Sequence, residues 1–94
     1  MLPSSSFAGF DEGIIAYDRG DYEAALREFR LSASQGSARS QYNLGVMYGT
    51  GRGVAQDYQE AERWYHNAAE RGHVGAQFSL GLMYHEGFIG KMFV

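Results

Sequence analysis

Apolar residues recur along this chain at spacings of three and four, the period of a helix with one buried face. The pattern is clearest from Ala38 to Gly72. There Gln41, Leu44, Gly45 and Tyr48 fall at offsets 0, 3, 4 and 7, and Ala61, Trp64, Tyr65, Ala68 and Ala69 at offsets 0, 3, 4, 7 and 8. Each set predicts an amphipathic helix. Between them, Thr50-Gly51-Arg52-Gly53-Val54-Ala55-Gln56 is too rich in glycine to stay helical and long enough to turn the chain back on itself. The two helices are therefore expected to face each other as an antiparallel hairpin.

The remaining segments read in the same way. Residues 1–6, Met-Leu-Pro-Ser-Ser-Ser, are expected to be a disordered lead-in. A first helix is expected from about Phe7 to Asp18, with Phe10, Gly13, Ile14 and Tyr17 on adjoining rows, and Arg19-Gly20 turns it. Asp21 is a suitable N-cap for a second helix over residues 22–35, whose apolar face is Tyr22, Ala25, Leu26, Phe29 and Ala33 and which stops at Gly36. Asp57 followed by Glu60 has the spacing of a capping box for the fourth helix, and Gly72 ends it. A fifth helix is expected from about Gly75 to Glu86, followed after Gly87 by the apolar tail Phe-Ile-Gly-Lys-Met-Phe-Val.

Sliding the sequence by 36 residues superimposes Asp21 on Asp57, Ala25 on Ala61, Gly36 on Gly72, Gln41 on Gln77, Leu44 on Leu80, Gly45 on Gly81 and Tyr48 on Tyr84. Twelve identities in 31 aligned positions make this an internal repeat, and a period in the thirties predicts a helical solenoid. Gly45 and Gly81 then lie mid-helix, where glycine costs about 1 kcal/mol against alanine. Close helix contact is the expected compensation. Ala61, Ala68 and Ala69 would let the facing helix approach, while Trp64 and Tyr65 would fill the space between one hairpin and the next.

The central unit resembles the Sel1-like repeat, a bacterial and eukaryotic relative of the tetratricopeptide repeat. The residues that carry the resemblance are Ala38, Leu44-Gly45, Tyr48, Gly51-Arg52-Gly53-Val54, Asp57, Ala61, Trp64-Tyr65, Ala68-Ala69 and Gly72. The first unit, with Gly13, Ala16, Gly20, Ala25 and Phe29, is closer to the shorter tetratricopeptide pattern. The third supplies only a first helix, with Phe88-Ile89-Gly90 in place of the glycine-rich turn. The expected organisation is a tetratricopeptide-like hairpin over 7–36, a Sel1-like hairpin over 37–72, a lone first helix over 73–87 and a tail over 88–94. The expected fold is all-α, a right-handed α-solenoid of five helices in about two and a half hairpins.

The resemblance implies that the first helix of each pair lines a concave groove. Aligned on Gly13, Gly45 and Gly81, its columns are Phe10, Tyr42 and Phe78; Ile14, Val46 and Leu82; and Tyr17, Gly49 and His85, with Arg39 at the edge. Such an aromatic and apolar groove suits a peptide or helix of a partner protein. The plainer reading of the same rows is core between adjacent first helices. Arg39 would either pair with a ligand carboxylate or stand solvated.

Composition narrows the choice further. A net charge of −3, with seven of eight basic residues being scattered arginines, argues against nucleic acid as a partner. Without cysteine there is no disulfide, thiolate nucleophile or cysteine zinc site. The start of the chain lacks the pattern of a signal peptide, and no apolar run approaches membrane length. A cytoplasmic location is the expectation for the chain as given, and a periplasmic or secreted one if a leader was removed. His66, His73 and His85 lack metal-site spacing, and Gly49-Thr50-Gly51-Arg52-Gly53 lacks the ending of a phosphate loop, so it reads as a turn needing positive φ. No catalytic or cofactor-binding constellation is visible.

The expectation is a non-catalytic interaction module, with self-association through the unpaired third-repeat helix and tail left open. Two alternatives stand beside it. One is a cell-envelope hydrolase or peptidoglycan- or β-lactam-binding repeat protein, which the resemblance allows. The other is a structural fragment of a longer repeat array.

Overall fold

The computed structural model describes the backbone of residues 8–93 and the side chains of residues 8–85. It contains five helices, α1 (Phe10–Asp18), α2 (Tyr22–Ser34), α3 (Ala38–Thr50), α4 (Tyr58–Glu70) and α5 (Val74–Phe93), and no strand among the described residues. Each helix packs on its neighbours in sequence, so the hairpins α1/α2 and α3/α4 stack with α5 behind them in an α-solenoid of 54 × 27 × 17 Å. No helix among the described residues is long and apolar enough to cross a membrane. The expected lead-in over residues 1–6 and helix start at Phe7 fall outside the described residues. Ala8 and Gly9 form a turn, and the helix begins at Phe10.

Local chemistry sets these boundaries. The Asp21 carboxylate accepts from the Ala24 N–H at 3.3 Å, Ser37 Oγ from the Ser40 N–H at 3.2 Å, and the Asp57 carboxylate from the Glu60 N–H at 3.1 Å. Each satisfies one of the donors a helix leaves open at its start. The expected capping box at α4 is one-sided, because the Glu60 carboxylate pairs with Arg63 at 3.1 Å. Helices α2 and α4 end in the same closure. Gly36 N–H donates to Ala33 C=O and Ser37 N–H to Ser32 C=O, and Gly72 and His73 do the same to Ala69 and Ala68. This paired bond needs a left-handed residue after the cap, which Gly36 and Gly72 supply at φ 99° and 89°.

Repetition extends to side-chain bonds. Gln41 Nε2 donates to the Ala33 carbonyl at 3.2 Å, and Gln77 Nε2 to the Ala69 carbonyl at 3.2 Å, so each glutamine ties a first helix to the end of the helix before it. Arg30 donates to the Tyr48 hydroxyl at 2.6 Å; one period on, His66 Nε2 meets the Tyr84 hydroxyl at 2.6 Å.

The interior divides into two clusters. Ala25, Leu26, Phe29, Ala33, Leu44 and Met47 form one, and half-buried Trp64 packs against it. Ala61, Tyr65, Ala68, Ala76 and Leu80 form the other. Trp64 thus reaches back to the preceding hairpin, as expected. Tyr65 fills the junction with α5, as expected, and in addition the space inside its own hairpin. It is also Tyr65, rather than the small alanines, that meets the helical glycine: a Cβ on Gly45 would lie 2.5 Å from its ring. The facing alanine closes only on Gly49, at 3.7 Å from Ala61.

Helix α5 is longer than the sequence pattern suggests. It continues through Gly87 and Gly90 to Phe93 instead of ending at Glu86. A glycine ends a helix only where the chain beyond it is drawn away. After α3 that pull exists: Gly51 and Gly53 adopt φ 72° and 78°, a Cβ on Gly53 would lie 2.8 Å from the Tyr22 carbonyl oxygen, and Asp57 then caps α4. One period on, Ile89 stands where Gly53 does and Phe93 where Asp57 does, so neither the second glycine nor the cap is in place.

Candidate functional site

Between α1 and α3 lies a cleft of about 370 Å³, walled by Ile14, Tyr17 and Asp18 from α1 and by Tyr42, Asn43 and Val46 from α3, with Phe29 of α2 below. Both walls are first helices of their hairpins. Their rows at spacings of three and four turn one side toward the core cluster and leave the next row facing the opening. Ile14 is 36% exposed, and Tyr17, Tyr42, Asn43 and Val46 are half-buried. The cleft thus has aromatic and aliphatic walls and two polar groups, the exposed Asp18 carboxylate and the Asn43 amide.

Its walls are held firmly. The Tyr17 ring packs on Tyr22 at 5.1 Å between centroids, and Arg52, from the glycine-rich turn of the next hairpin, donates to the Tyr17 hydroxyl. The Arg52 guanidinium also lies 5.8 Å from the centroids of both Tyr17 and Tyr22. That hydrogen bond is the largest reason its pKa is raised further, so the cation beside the cleft is permanent. On the other wall, Tyr42 stacks on His73 at 4.6 Å and 18° and leans on Tyr65 at 5.6 Å. His73 is itself fixed, its Nδ1 accepting from the Ala76 N–H at 3.0 Å to cap α5 as Ser37 caps α3.

Of the residues singled out from sequence, Ile14, Tyr17, Tyr42 and Val46 come together here. Phe10 lies beside the cleft, 6.3 Å from Phe29, with the Arg39 guanidinium 4.3 Å above its ring. Arg39 stays exposed to solvent, with its cation attracted to the electron-rich face of Phe10. Phe78, Leu82 and His85 sit on α5 and do not line this cleft; Phe78 is 67% and Leu82 44% exposed. Asp18, Asn43 and Arg52 were not foreseen. Asp18 follows Ile14 by four residues and Val46 follows Asn43 by three, so the first two were accessible to the same spacing argument. Arg52 was not, since nothing local says that a turn reaches 35 residues back to Tyr17.

A second, polar notch of about 340 Å³ is lined by Gln41, Asn67, Glu70 and Arg71. Gln41 donates its amide N–H to the Ala33 carbonyl, while its buried Oε1 has no hydrogen-bond partner among the described residues, and Arg71 lies against Gly36.

Among known proteins, the model of the Sel1 repeat matches residues 38–73 and 74–93. A Sel1 repeat protein from Oxalobacter formigenes, known from its crystal structure, is similar at 38% identity and TM-score 0.78, over 83% of this chain and 32% of that one. A protective antigen present in uropathogenic Escherichia coli strains, displaying an SLR fold, is similar at 42% identity and TM-score 0.78, over 84% of this chain and 18% of that one. The chain thus spans a third or less of the length of these two relatives. No curated protein matches it.

Proposed function

The chain belongs to the Sel1 repeat family, and from that premise we propose that it is a non-catalytic interaction module that holds a peptide or helix of a partner protein in the α1/α3 cleft. One observation carries the reading: apolar and aromatic side chains stay partly open to solvent on walls that are braced from behind by Arg52, Tyr22, His73 and Tyr65. A braced wall loses little conformational freedom when a ligand arrives. The Asn43 amide both donates and accepts, which matches the main chain of an extended peptide, and Asp18 favours a basic residue beside the anchor. One apolar side chain buried here contributes about 2 kcal/mol, so a single cleft supports modest affinity, and tight binding requires contacts along further groove surface.

The test is selection of short peptides displayed against the intact chain, followed by anisotropy titrations of the enriched sequences. Enriched peptides should carry one large apolar residue. Ile14→Glu should weaken them about tenfold or more, and Asn43→Ala by less, while circular dichroism remains that of the parent. Peptides that bind the parent and both variants equally would place the binding surface elsewhere and refute the proposal.

A further inference from the structure

The polar notch of about 340 Å³, at the end of the second hairpin where α3 begins and α4 stops, holds a buried acceptor that the fold leaves unused. Gln41, on α3, is 5% exposed and is the buried member of the lining, whereas Asn67, Glu70 and Arg71 are exposed and form the rim. Only one orientation suits the Gln41 amide. Its Nε2 donates to the Ala33 carbonyl at 3.2 Å, and turning the amide over would set two acceptors against each other. Oε1 is therefore fixed as the group without a partner among the described residues. A buried acceptor in that state is costly, and a ligand that brings it a donor relieves the cost.

The rim carries one charge of each sign. Neither Glu70 nor Arg71 enters an ion pair among the described residues, and Arg71 rests on Gly36, its Nη1 3.2 Å from where a Cβ would stand. Glu70 is also set against the field of its own helix. It is the last residue of α4, where the open carbonyl groups disfavour a carboxylate. One period earlier the places of Asn67, Glu70 and Arg71 are held by Leu31, Ser34 and Gln35, without charge, so this set belongs to the second hairpin and not to the packing that the repeats share.

We propose that the notch binds a free α-amino acid as its zwitterion, with the ammonium donating to Gln41 Oε1 and the Glu70 carboxylate, and the carboxylate accepting from the Arg71 guanidinium and the Asn67 amide. A cation alone would face Arg71 unpaired, and an anion alone would face Glu70 and the Gln41 acceptor. One small molecule with both charges on neighbouring groups matches the acceptor within and the donors at the rim. The volume is at the low end of the roughly 300–1,000 Å³ of small-molecule sites. Oε1 lies covered, so the exposed rim side chains must turn aside to admit the ammonium, and the rim charges act in solvent. Affinity is accordingly modest, with a Kd on the order of 0.1–1 mM.

The probe is L-alanine, titrated into the isotope-labelled full chain and followed by the NMR signals of the Gln41 and Asn67 side-chain amides, which should shift and saturate. N-acetyl-L-alanine, without the ammonium, and L-alaninamide, without the carboxylate, should each bind about tenfold or more weakly. Glu70→Gln should weaken L-alanine about tenfold or more, while the variant melts at or above the temperature of the parent, because it removes a carboxylate from a helix C-terminus. Loss of binding at undiminished stability separates a lost ligand contact from a damaged fold. No saturable shift with L-alanine, equal binding of either blocked derivative, or binding indifferent to Glu70→Gln would each overturn the proposal.

Discussion

The ring of Tyr65 occupies the space that any side chain on residue 45 would need, with its Cε1 and Cδ1 2.5 and 2.6 Å from where a Cβ would stand. In an exposed helix interior, Gly→Ala stabilises by about 1 kcal/mol. Here the ring is buried against Ala61, Ala68, Ala76 and Leu80 and has no room to retreat. Gly45→Ala is expected to lower stability by about 1–3 kcal/mol in thermal melts, against its helix propensity. Combining it with Tyr65→Leu should cost less than the sum of the two single changes, as two residues competing for one volume require. Strict additivity would show that Tyr65 does not fill that volume.

Trp64 joins the second hairpin to the first. Its indole packs against the cluster around Leu26, Phe29 and Leu44, while its buried Nε1–H has no hydrogen-bond partner among the described residues. Trp64→Ala is expected to cost about 3–5 kcal/mol, enough to unfold much of a domain this small. Trp64→Phe should cost much less, because it keeps most of the apolar surface and removes the unsatisfied donor. Urea titrations of the two variants test the order, and a Trp64→Ala chain as stable as the parent would remove the tryptophan as the joint.

Between α2 and α3 the buried hydroxyls of Ser32 and Ser40 bond to each other, and one period later Ala68 and Ala76 occupy the same places. Ser32 also donates to the Phe29 carbonyl, so Ser32→Ala leaves the buried Ser40 hydroxyl without its partner at a cost of about 1–3 kcal/mol, whereas Ser40→Ala leaves Ser32 bonded and should cost less. The double change reproduces the second junction and should lie within about 1 kcal/mol of the parent. A double-mutant cycle measures the coupling directly.

Burial, and next to it the neighbouring Tyr42 hydroxyl, raises the pKa of Tyr65, with a hydrogen bond to Ser79 opposing them. A folded-state value above the unfolded one, near 10, means that the unfolded chain releases its proton first. The contribution of Tyr65 is therefore complete below about pH 10 and is lost as pH rises through the folded-state value. Melting temperatures from pH 8 to 11 should fall on the alkaline side, and Tyr65→Phe should flatten that fall. An unchanged alkaline limb in the variant would contradict the assignment.

By itself, the sequence determined what depends on neighbours along the chain. Asp21 and Asp57 mark helix starts, Gly36 and Gly72 mark ends, and the 36-residue period assigns the solenoid, because caps, closures and amphipathic spacing act within one or two turns of helix. Sequence also predicted that the mid-helix glycines Gly45 and Gly81 meet a close helix contact, which holds for Gly45 and not for Gly81, where a Cβ would meet no atom of the described residues within 4 Å. Only the tertiary structure decided which contact that is. Phe29 and Tyr65 reach Gly13 and Gly45 across their own hairpins over separations of 16 and 20 residues, while Arg52 reaches Tyr17 and Arg39 settles on Phe10 through the way one hairpin lies on the next. The same holds for the groove. Its rows could be listed from spacing, but their division into a braced cleft at Tyr17 and Tyr42 and exposed positions at Phe78 and Leu82 follows from which rows the packed hairpins bring together.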